Sequence, residues 1–574
     1  MKQILECVKK YKKIIFFAVM FMGLDVVSVM LEPYLMSKII ENGIEGKNTP
    51  YIVITGILMI LVAIMGAFSG IMNARFSARA GVSFAADLRE KIFSKVQEFS
   101  YENIDKFSTE SLVTRMTNDV HHMQHTVTMG MRIVVRAPLM FIFAICMALT
   151  LNAKISLIFA FIIPILSTAL LLIIFKSTPL FSKMQKAIDR LNGTIRENLM
   201  NVRVVKSFVR QEDEKEKFKS ANRHLNETSL KAMYLVILNM PVMSLLMNIT
   251  TVLVVWFSGN QIINFKMTVA ELSAYLNYIN HILFSLMMFS MMFINITRAS
   301  ASFKRVAEIF DTKSTLQNPK NPYKNVKLNG NVEFKNVSFK YFLNQKEYVL
   351  KDISFFVKKG DVVAIVGGTG SGKTSLVQLI PRLYDVTKGE ILIDGINVKD
   401  YEIESLRNNI GVVLQKNTLF SGTISDNLKW GNPEATKEDI EFFAKTAQAH
   451  EFIISFPDGY NTFVEQGGVN LSGGQKQRLC IARAMLKKPA ILILDDSTSA
   501  VDTATERNIR EAFGTVLKDT TTFIIAQRIS SVKDADKIIV LSDGTIEAIG
   551  THDELIEKNE TYREIYISQQ GRGE

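Results

Sequence analysis

The chain has 574 residues, too many for one soluble hydrophobic core. Hydrophobic residues make up 48% of it and mean hydropathy is +0.16, yet Lys and Arg outnumber Asp and Glu by 67 to 56. Such a chain is either a membrane protein with cationic cytoplasmic loops or a nucleic-acid binder; the basic residues flank apolar runs, which favours the membrane and excludes nucleic acid as a partner. The three cysteines, Cys7, Cys146 and Cys480, show neither disulfide nor metal-ligand spacing.

The first stretch, Met1–Lys13, carries Lys2, Lys9, Lys10, Lys12 and Lys13. No small-residue cleavage site follows and more apolar runs come after, so it reads as an interfacial elbow helix rather than a signal peptide. Six apolar runs follow, at about Ile14–Ile40, Tyr51–Met72, Ile133–Leu151, Ile155–Phe175, Ala232–Ser258 and Ala270–Ile296. Each suffices to cross a bilayer, which takes about 20 residues. The connections alternate. Those at Glu41–Pro50, Asn152–Lys154 and Gly259–Val269 are short and poor in Lys and Arg; Arg75–Arg132 and Lys176–Lys231 are long and rich in them. The positive-inside rule places the long connections and both termini in the cytoplasm, with residues 1–310 as a multi-pass membrane domain. The long connections have few breakers, so the membrane helices are expected to run past the bilayer. Phe99–Phe107 and Gln211–Phe218 stand out in them as interruptions.

Asp25, Glu32, Asn239, Asn248, Asn277, Asn280, His281 and Asn295 are polar residues inside the runs. Asp25 and Glu32 share one helix face. They point either to a cavity for amphipathic cations or to interhelical hydrogen bonding, with Glu32, beside Pro33, at the aqueous edge. The Met and Phe density of Leu283–Phe293 suits an adaptable apolar binding wall and equally suits ordinary packing.

Residues 311–325, with Pro319 and Pro322, read as a linker, and 326–574 as an α/β domain. Strands are expected at Val332–Phe339, Val362–Val366, Ile391–Ile393, Ile491–Leu494, Thr522–Ile525 and Lys537–Val540. Between the strand at Val362 and a helix over Ser375–Leu383 lies Gly367-Gly368-Thr369-Gly370-Ser371-Gly372-Lys373-Thr374. This is the phosphate-binding P-loop pattern in its required context. The glycines turn backbone N–H groups into an anion nest, Lys373 reaches the β- and γ-phosphates, and the Thr374 hydroxyl ligates Mg²⁺. The apolar run Ile491–Leu494 ends in Asp495, a carboxylate placed to hold Mg²⁺. Leu471-Ser472-Gly473-Gly474-Gln475 opens a helix over Lys476–Leu486 and makes a second anion-binding end. One triphosphate has no use for two such ends, so the second serves a nucleotide held by another subunit.

With these motifs the chain resembles, over its whole length, the ATP-binding cassette exporters, and among them a half-transporter of a bacterial heterodimeric multidrug type. The resemblance implies a fold: a six-helix, all-α membrane domain fused to an α/β P-loop nucleotide-binding domain. It also implies ATP and Mg²⁺ as cofactors. Tyr341 then matches the aromatic residue that stacks on adenine. Gln415 matches the glutamine that senses Mg²⁺, water and the membrane domain, and Ser499-Ala500-Val501-Asp502 matches the D-loop. Phe99–Phe107 and Gln211–Phe218 match the coupling helices, the second of which usually reaches the opposite subunit.

Three positions depart from the family pattern. Asp496 stands where the family has the general-base Glu, one methylene too short. Gln527 stands where it has a γ-phosphate-contacting His. Val464-Glu465-Gln466-Gly467-Gly468 replaces the usual V-G-E-R-G. A misplacement near 1 Å can cost about a hundredfold in rate. The chain is therefore expected to bind Mg-ATP and hydrolyse it poorly. A partner subunit carrying Glu and His would complete a hydrolytic site with Leu471–Gln475, and the pair would move amphipathic, drug-like compounds out across the lipid bilayer. A lipid or lipid-precursor flippase is the alternative of the same class, and an ATP-gated regulatory or channel-like protein that of another.

Overall fold

The computed structural model describes residues 2–264, 266–342, 345–496, 502–526 and 528–570, with the backbone alone at 170, 290–299, 503, 530 and 570. The chain divides into two compact units. One comprises Met1–Gln97 and Glu110–Asp311, the other Glu98–Thr109 and Thr312–Glu574.

The first unit is helical. A short helix, Lys2–Lys10, buries Ile4 and Cys7. Five helices among the described residues are long and apolar enough to cross a membrane: Lys12–Glu45, Thr49–Gln97, Thr109–Leu151, Ala153–Met200 and Gln211–Ile263. The sixth expected span lies in the helix Val269–Asp311, which includes residues whose side chains are outside the description. At 1.5 Å per residue, the 49 residues of Thr49–Gln97 extend about 74 Å, over twice a hydrocarbon core of about 30 Å. The core joins Met22, Val26 and Met30 to Met140, Ala144, Tyr275 and Tyr278. The outward faces are apolar too, with Ile54, Phe161 and Trp256 exposed, a surface that only lipid or another apolar surface can cover.

Several polar groups in the spans tie helices together. The Asn73 amide donates to the Ala18 carbonyl at 2.7 Å, Tyr278 to the Met30 carbonyl at 2.9 Å, and Tyr275 to Ser156 at 3.0 Å. Asp25 is buried, its carboxylate 3.5 Å from the Arg136 guanidinium. Each of these groups thus has a protein partner.

One interruption falls elsewhere than expected. The short helix after Ala153–Met200 is Val202–Ser207, whereas Gln211 opens a continuous helix to Ile237. The acidic cluster Glu212, Asp213 and Glu214 sits in the first turn of that helix, where it favours continuation rather than a break.

The second unit is built on a six-stranded sheet, in the order Thr545–Gly550, Lys537–Ser542, Val362–Gly367, Thr521–Ile525, Ile491–Asp495 and Ile410–Val413. All neighbours are parallel except the first pair. Parallel strands covered on both faces read as unbroken apolar runs, and every residue of Ile491–Asp495 is buried. A four-stranded antiparallel sheet, in the order Leu350–Val357, Val332–Phe339, Lys388–Ile393 and Ile396–Asn397, packs into the same core through Phe334, Phe339 and Phe355. The register pairs Ile365 with Ile525 and Ile525 with Asp495, so the carboxyl ends of three adjacent strands arrive side by side. In open α/β sheets ligands bind outside those ends.

The segment Glu98–Thr109 packs in this unit. Its helix, Tyr101–Phe107, starts from a capping box between Ser100 and Asn103.

Candidate functional site

The loop from Gly367 to Gly372 is held open by left-handed backbone. Gly367, Gly370 and Gly372 have φ of +152°, +84° and +95°, and a Cβ on Gly367 would come within 2.1 Å of the Leu541 carbonyl oxygen. Nothing approaches Gly368 or Gly370 within 4 Å of where a Cβ would sit. Thr369 is exposed. Gly372 caps the helix Lys373–Leu379 without any side-chain bond, and the buried Ser371 hydroxyl has no hydrogen-bond partner. Uncapped N–H groups with an orphaned hydroxyl fit a phosphate chain.

Lys373 Nζ donates to the carbonyl oxygens of Gly367 and Gly368 at 2.8 and 2.7 Å. Burial pushes its ammonium below the ordinary lysine range, opposed by the charges of Asp495 and Asp496. The Thr374 hydroxyl donates to Asp495 Oδ1 at 3.1 Å. Burial raises the Asp495 carboxyl, with the Thr374 hydrogen bond acting against it and the charge of Asp496 adding to it. A hydroxyl and a carboxylate beside a phosphate nest suit Mg²⁺, a hard cation that takes one or two carboxylates and completes its shell with phosphate and water. Among the described residues no group of three or more His, Cys, Asp or Glu could hold a metal unaided. Gln415 is exposed in the bend that follows the strand Ile410–Val413.

Asp496 follows in left-handed conformation, φ +48°, its N–H donating to the Ile525 carbonyl at 3.1 Å. Aspartate tolerates this region better than most side chains. Gln527 and Ser499, Ala500 and Val501 lie outside the described residues. Asp502 caps the helix Thr503–Val516, accepting from the Thr505 N–H at 2.9 Å.

Tyr341 is half-buried. Its hydroxyl lies 2.7 Å from the Ser375 hydroxyl, and its ring stands edge-on to those of Phe339 and Tyr384, at 4.9 and 5.1 Å. The P-loop, Asp495, Asp496 and Tyr341 are thus brought to one end of the sheet.

The signature helix starts earlier than expected, as Gly473–Leu486, with Leu471 buried beneath it. Ser472 is its cap: Ser472 Oγ accepts from the Gln475 N–H at 3.3 Å, and Gln475 Oε1 accepts from the Ser472 N–H at 2.9 Å. Gly473 and Gly474 begin the first turn with no side chain in the way. Gln466 and Gly467 line a groove of about 720 Å³ with Phe420 and Trp430, whose exposed rings stack at 4.1 Å. Nothing in the sequence marked that pair, nor Tyr384.

The comparisons agree with this geometry. The ABC transporter transmembrane region matches residues 14–287, and the ABC transporter domain matches 350–499. The ABC transporter ATP-binding protein YfiB of Bacillus subtilis is 40% identical over 100% of this chain and 99% of its own length. Its counterpart MT1311 of Mycobacterium tuberculosis is 37% identical over 98% of this chain and 97% of its own. YgaD of Bacillus subtilis, provisionally named a multidrug export ATP-binding/permease protein, is 36% identical over 99% of both chains. The structure of a bacterial Atm1-family ABC exporter with ATP bound superposes with a TM-score of 0.83 at 26% identity, covering 97% of this chain and 99% of that one. Fold and site together define a membrane protein driven by nucleotide at a P-loop. The chain belongs to the ABC transporter family and is a multi-pass, ATP-driven exporter homologue.

Proposed function

We propose that this chain is one half of a heterodimeric exporter whose own phosphate pocket grips Mg-ATP and scarcely cleaves it. The observation that carries the reading is the mismatch between the two parts of the site. The binding parts, Gly367–Thr374 and Asp495, are complete and adjacent, while the catalytic positions hold Asp496 and Gln527. A carboxylate one methylene short does not reach the attacking water, and Gln527 lacks the imidazole that would meet the γ-phosphate.

In this reading Thr374, Gln415 and Asp495 hold Mg²⁺, which neutralises charge developing on the phosphates. Tyr341 stacks the base. Leu471–Gln475 present their helix start to a nucleotide held by the partner subunit, whose Glu and His carry out hydrolysis. Six spans, the sixth within Val269–Asp311, form the membrane domain in residues 1–310. Residues 311–325 link it to the nucleotide-binding domain of 326–574, which faces the cytoplasm with both termini. The cargo is amphipathic and drug-like, in line with the printed name of YgaD and with the Met- and Phe-rich stretch Leu283–Phe293.

ATP turnover of the purified chain, alone and with its partner, tests the proposal. Turnover near background alone and brisk in the pair is expected. Brisk turnover at both sites of a homodimer refutes it.

A further inference from the structure

The helix Tyr101–Phe107 lies in sequence between two membrane-spanning helices, yet it packs in the nucleotide-binding unit. One residue joins it to the base pocket. The Tyr384 hydroxyl donates to Asp105 Oδ2 at 2.7 Å, and the Tyr384 ring lies 6.0 Å from that of Tyr101. On its other side the same ring meets Tyr341 at 5.1 Å and 86°. Tyr341 in turn bonds Ser375, the residue after Thr374.

Tyr384 is not free to yield. It is buried, in a loop that follows directly on the P-loop helix. The neighbouring Arg382 has φ +51°, donates to Asp385 Oδ1 at 2.8 Å and to the Gln317 carbonyl at 3.2 Å, and its own carbonyl accepts from Arg407 at 2.7 Å. Burial, the hydrogen bond to Asp105 and the charge of that carboxylate all hold the Tyr384 phenol above its usual range, so it remains a donor. A cavity of about 210 Å³, bounded by Glu102, Thr315, Tyr341 and Tyr384, leaves room for the short helix to shift against this fixed ring.

We propose that Tyr384 is a positioning residue that conveys occupancy of the base site at Tyr341 to the segment Glu98–Thr109 through its hydrogen bond to Asp105. The proposal rests on the reading of Tyr341 as the base-stacking residue. A base against the open face of Tyr341 fixes that ring, the ring fixes Tyr384, and Tyr384 fixes Asp105. Phosphates alone grip the loop at Gly367–Thr374 without loading the Tyr341 face, so they leave the segment as it was.

Hydrogen–deuterium exchange of peptides covering residues 98–109, in the full-length chain in lipid nanodiscs, reads the response. The probes are Mg²⁺ with a non-hydrolysable ATP analogue and Mg²⁺ with inorganic tripolyphosphate. The analogue is expected to change exchange in this segment and tripolyphosphate to leave it unchanged. Tyr384→Phe, which keeps the ring and its packing, and Asp105→Asn are each expected to cut the response about fivefold. The double variant is expected to cut it no further, the mark of a shared interaction. Equal responses to both probes, no response in the unaltered chain, a full response in Tyr384→Phe, or multiplying effects in the double variant each overturn the proposal. Tyr341→Ala separates the two layers. If it binds the analogue as tightly as the unaltered chain, the base reading falls and takes the relay with it. If binding weakens while Tyr384→Phe responds fully, the relay alone falls.

Discussion

The unit that holds the P-loop contains two helix starts rich in glycine, and they solve opposite problems. At the first, the cap is Gly372 with φ +95° and no side-chain bond, and the Ser371 hydroxyl is buried without a partner. At the second, Ser472 and Gln475 close a capping box on themselves. A pocket that must take phosphate unaided keeps its donors unspent and uses left-handed glycines to hold them apart. On the proposed reading the second helix tip meets a nucleotide carried by another subunit, and its capping box keeps it satisfied meanwhile. Its Ser472 hydroxyl accepts from Gln475 and can still donate outward. The difference is thermodynamic, since an unmet buried donor costs about 1–3 kcal/mol until a ligand arrives.

The sharpest way to break this comparison is to disable the first start. Lys373→Ala removes the cation that bonds the Gly367 and Gly368 carbonyls and sits over the phosphate nest. Hydrogen bonds to charged groups contribute about 1.5–3 kcal/mol each, so ATP should bind at least about a hundredfold more weakly. Fluorescent-nucleotide titration of the isolated chain measures it. Ser472→Ala in the same assay should leave affinity unchanged. A large loss there would mean that the second helix serves this chain's own nucleotide.

Placing the family residues at positions 496 and 527 is expected to have the next largest effect. Asp496→Glu with Gln527→His should raise ATP turnover by about tenfold, less than the hundredfold that placement alone suggests. The shortfall has a structural cause: position 496 lies at φ +48°, where a longer side chain carries about 1–3 kcal/mol of strain. Steady-state phosphate release decides it, and an unchanged rate in the double variant would show that something other than these two side chains limits hydrolysis.

These expectations draw on features with very different visibility in the sequence. The P-loop was legible because positive φ is written as glycine, and the parallel strands because burial on both faces leaves an apolar run such as Ile491–Leu494. The strands Leu350–Val357 and Thr545–Gly550 were not, because neither is an unbroken apolar run: buried or half-buried positions are interleaved with exposed ones, most of them charged or polar. Gln211–Phe218 reads as an interruption, whereas its acidic residues lie in the first turn of a helix and stabilise its start. The Tyr384–Asp105 bond joins residues 279 apart, and no spacing rule reaches that far. Asp496 was recognisable as a departure, whereas the backbone that accommodates it was not.

At the second helix start, Ser472→Ala is expected to lower turnover only in the proposed two-subunit complex. Losing an N-cap hydroxyl costs a helix about 1 kcal/mol, and losing one neutral hydrogen bond to the partner's nucleotide costs a similar amount. Turnover of the complex should fall by roughly fivefold while the isolated chain melts only slightly earlier. Equal loss in Ser472→Ala and Lys373→Ala complexes would erase the distinction between the two tips.

The smallest expected effect is one of pH, and it tests whether the open pocket is strained when empty. Burial raises the Asp495 carboxyl above its ordinary range, and Asp496 pushes it the same way against the Thr374 hydrogen bond. In the nucleotide-free fold Asp495 therefore holds its proton more tightly than in the unfolded chain, whose aspartates titrate near about 3.9. Between those two values the folded state binds more protons, so stability should rise as pH falls through that window. Mg-nucleotide binding needs the ionised carboxylate and should weaken over the same window. The stabilisation that Mg-ATP confers should thus shrink on acidification from both sides. Thermal melts of the detergent-solubilised chain, with and without Mg-ATP across a pH series, measure it. Thr374→Val removes the bond that favours the carboxylate, so the nucleotide-free rise should begin at higher pH. A nucleotide-free stability that falls steadily on acidification in both chains would mean that Asp495 rests comfortably ionised, and that the empty pocket stores no cost for the nucleotide to relieve.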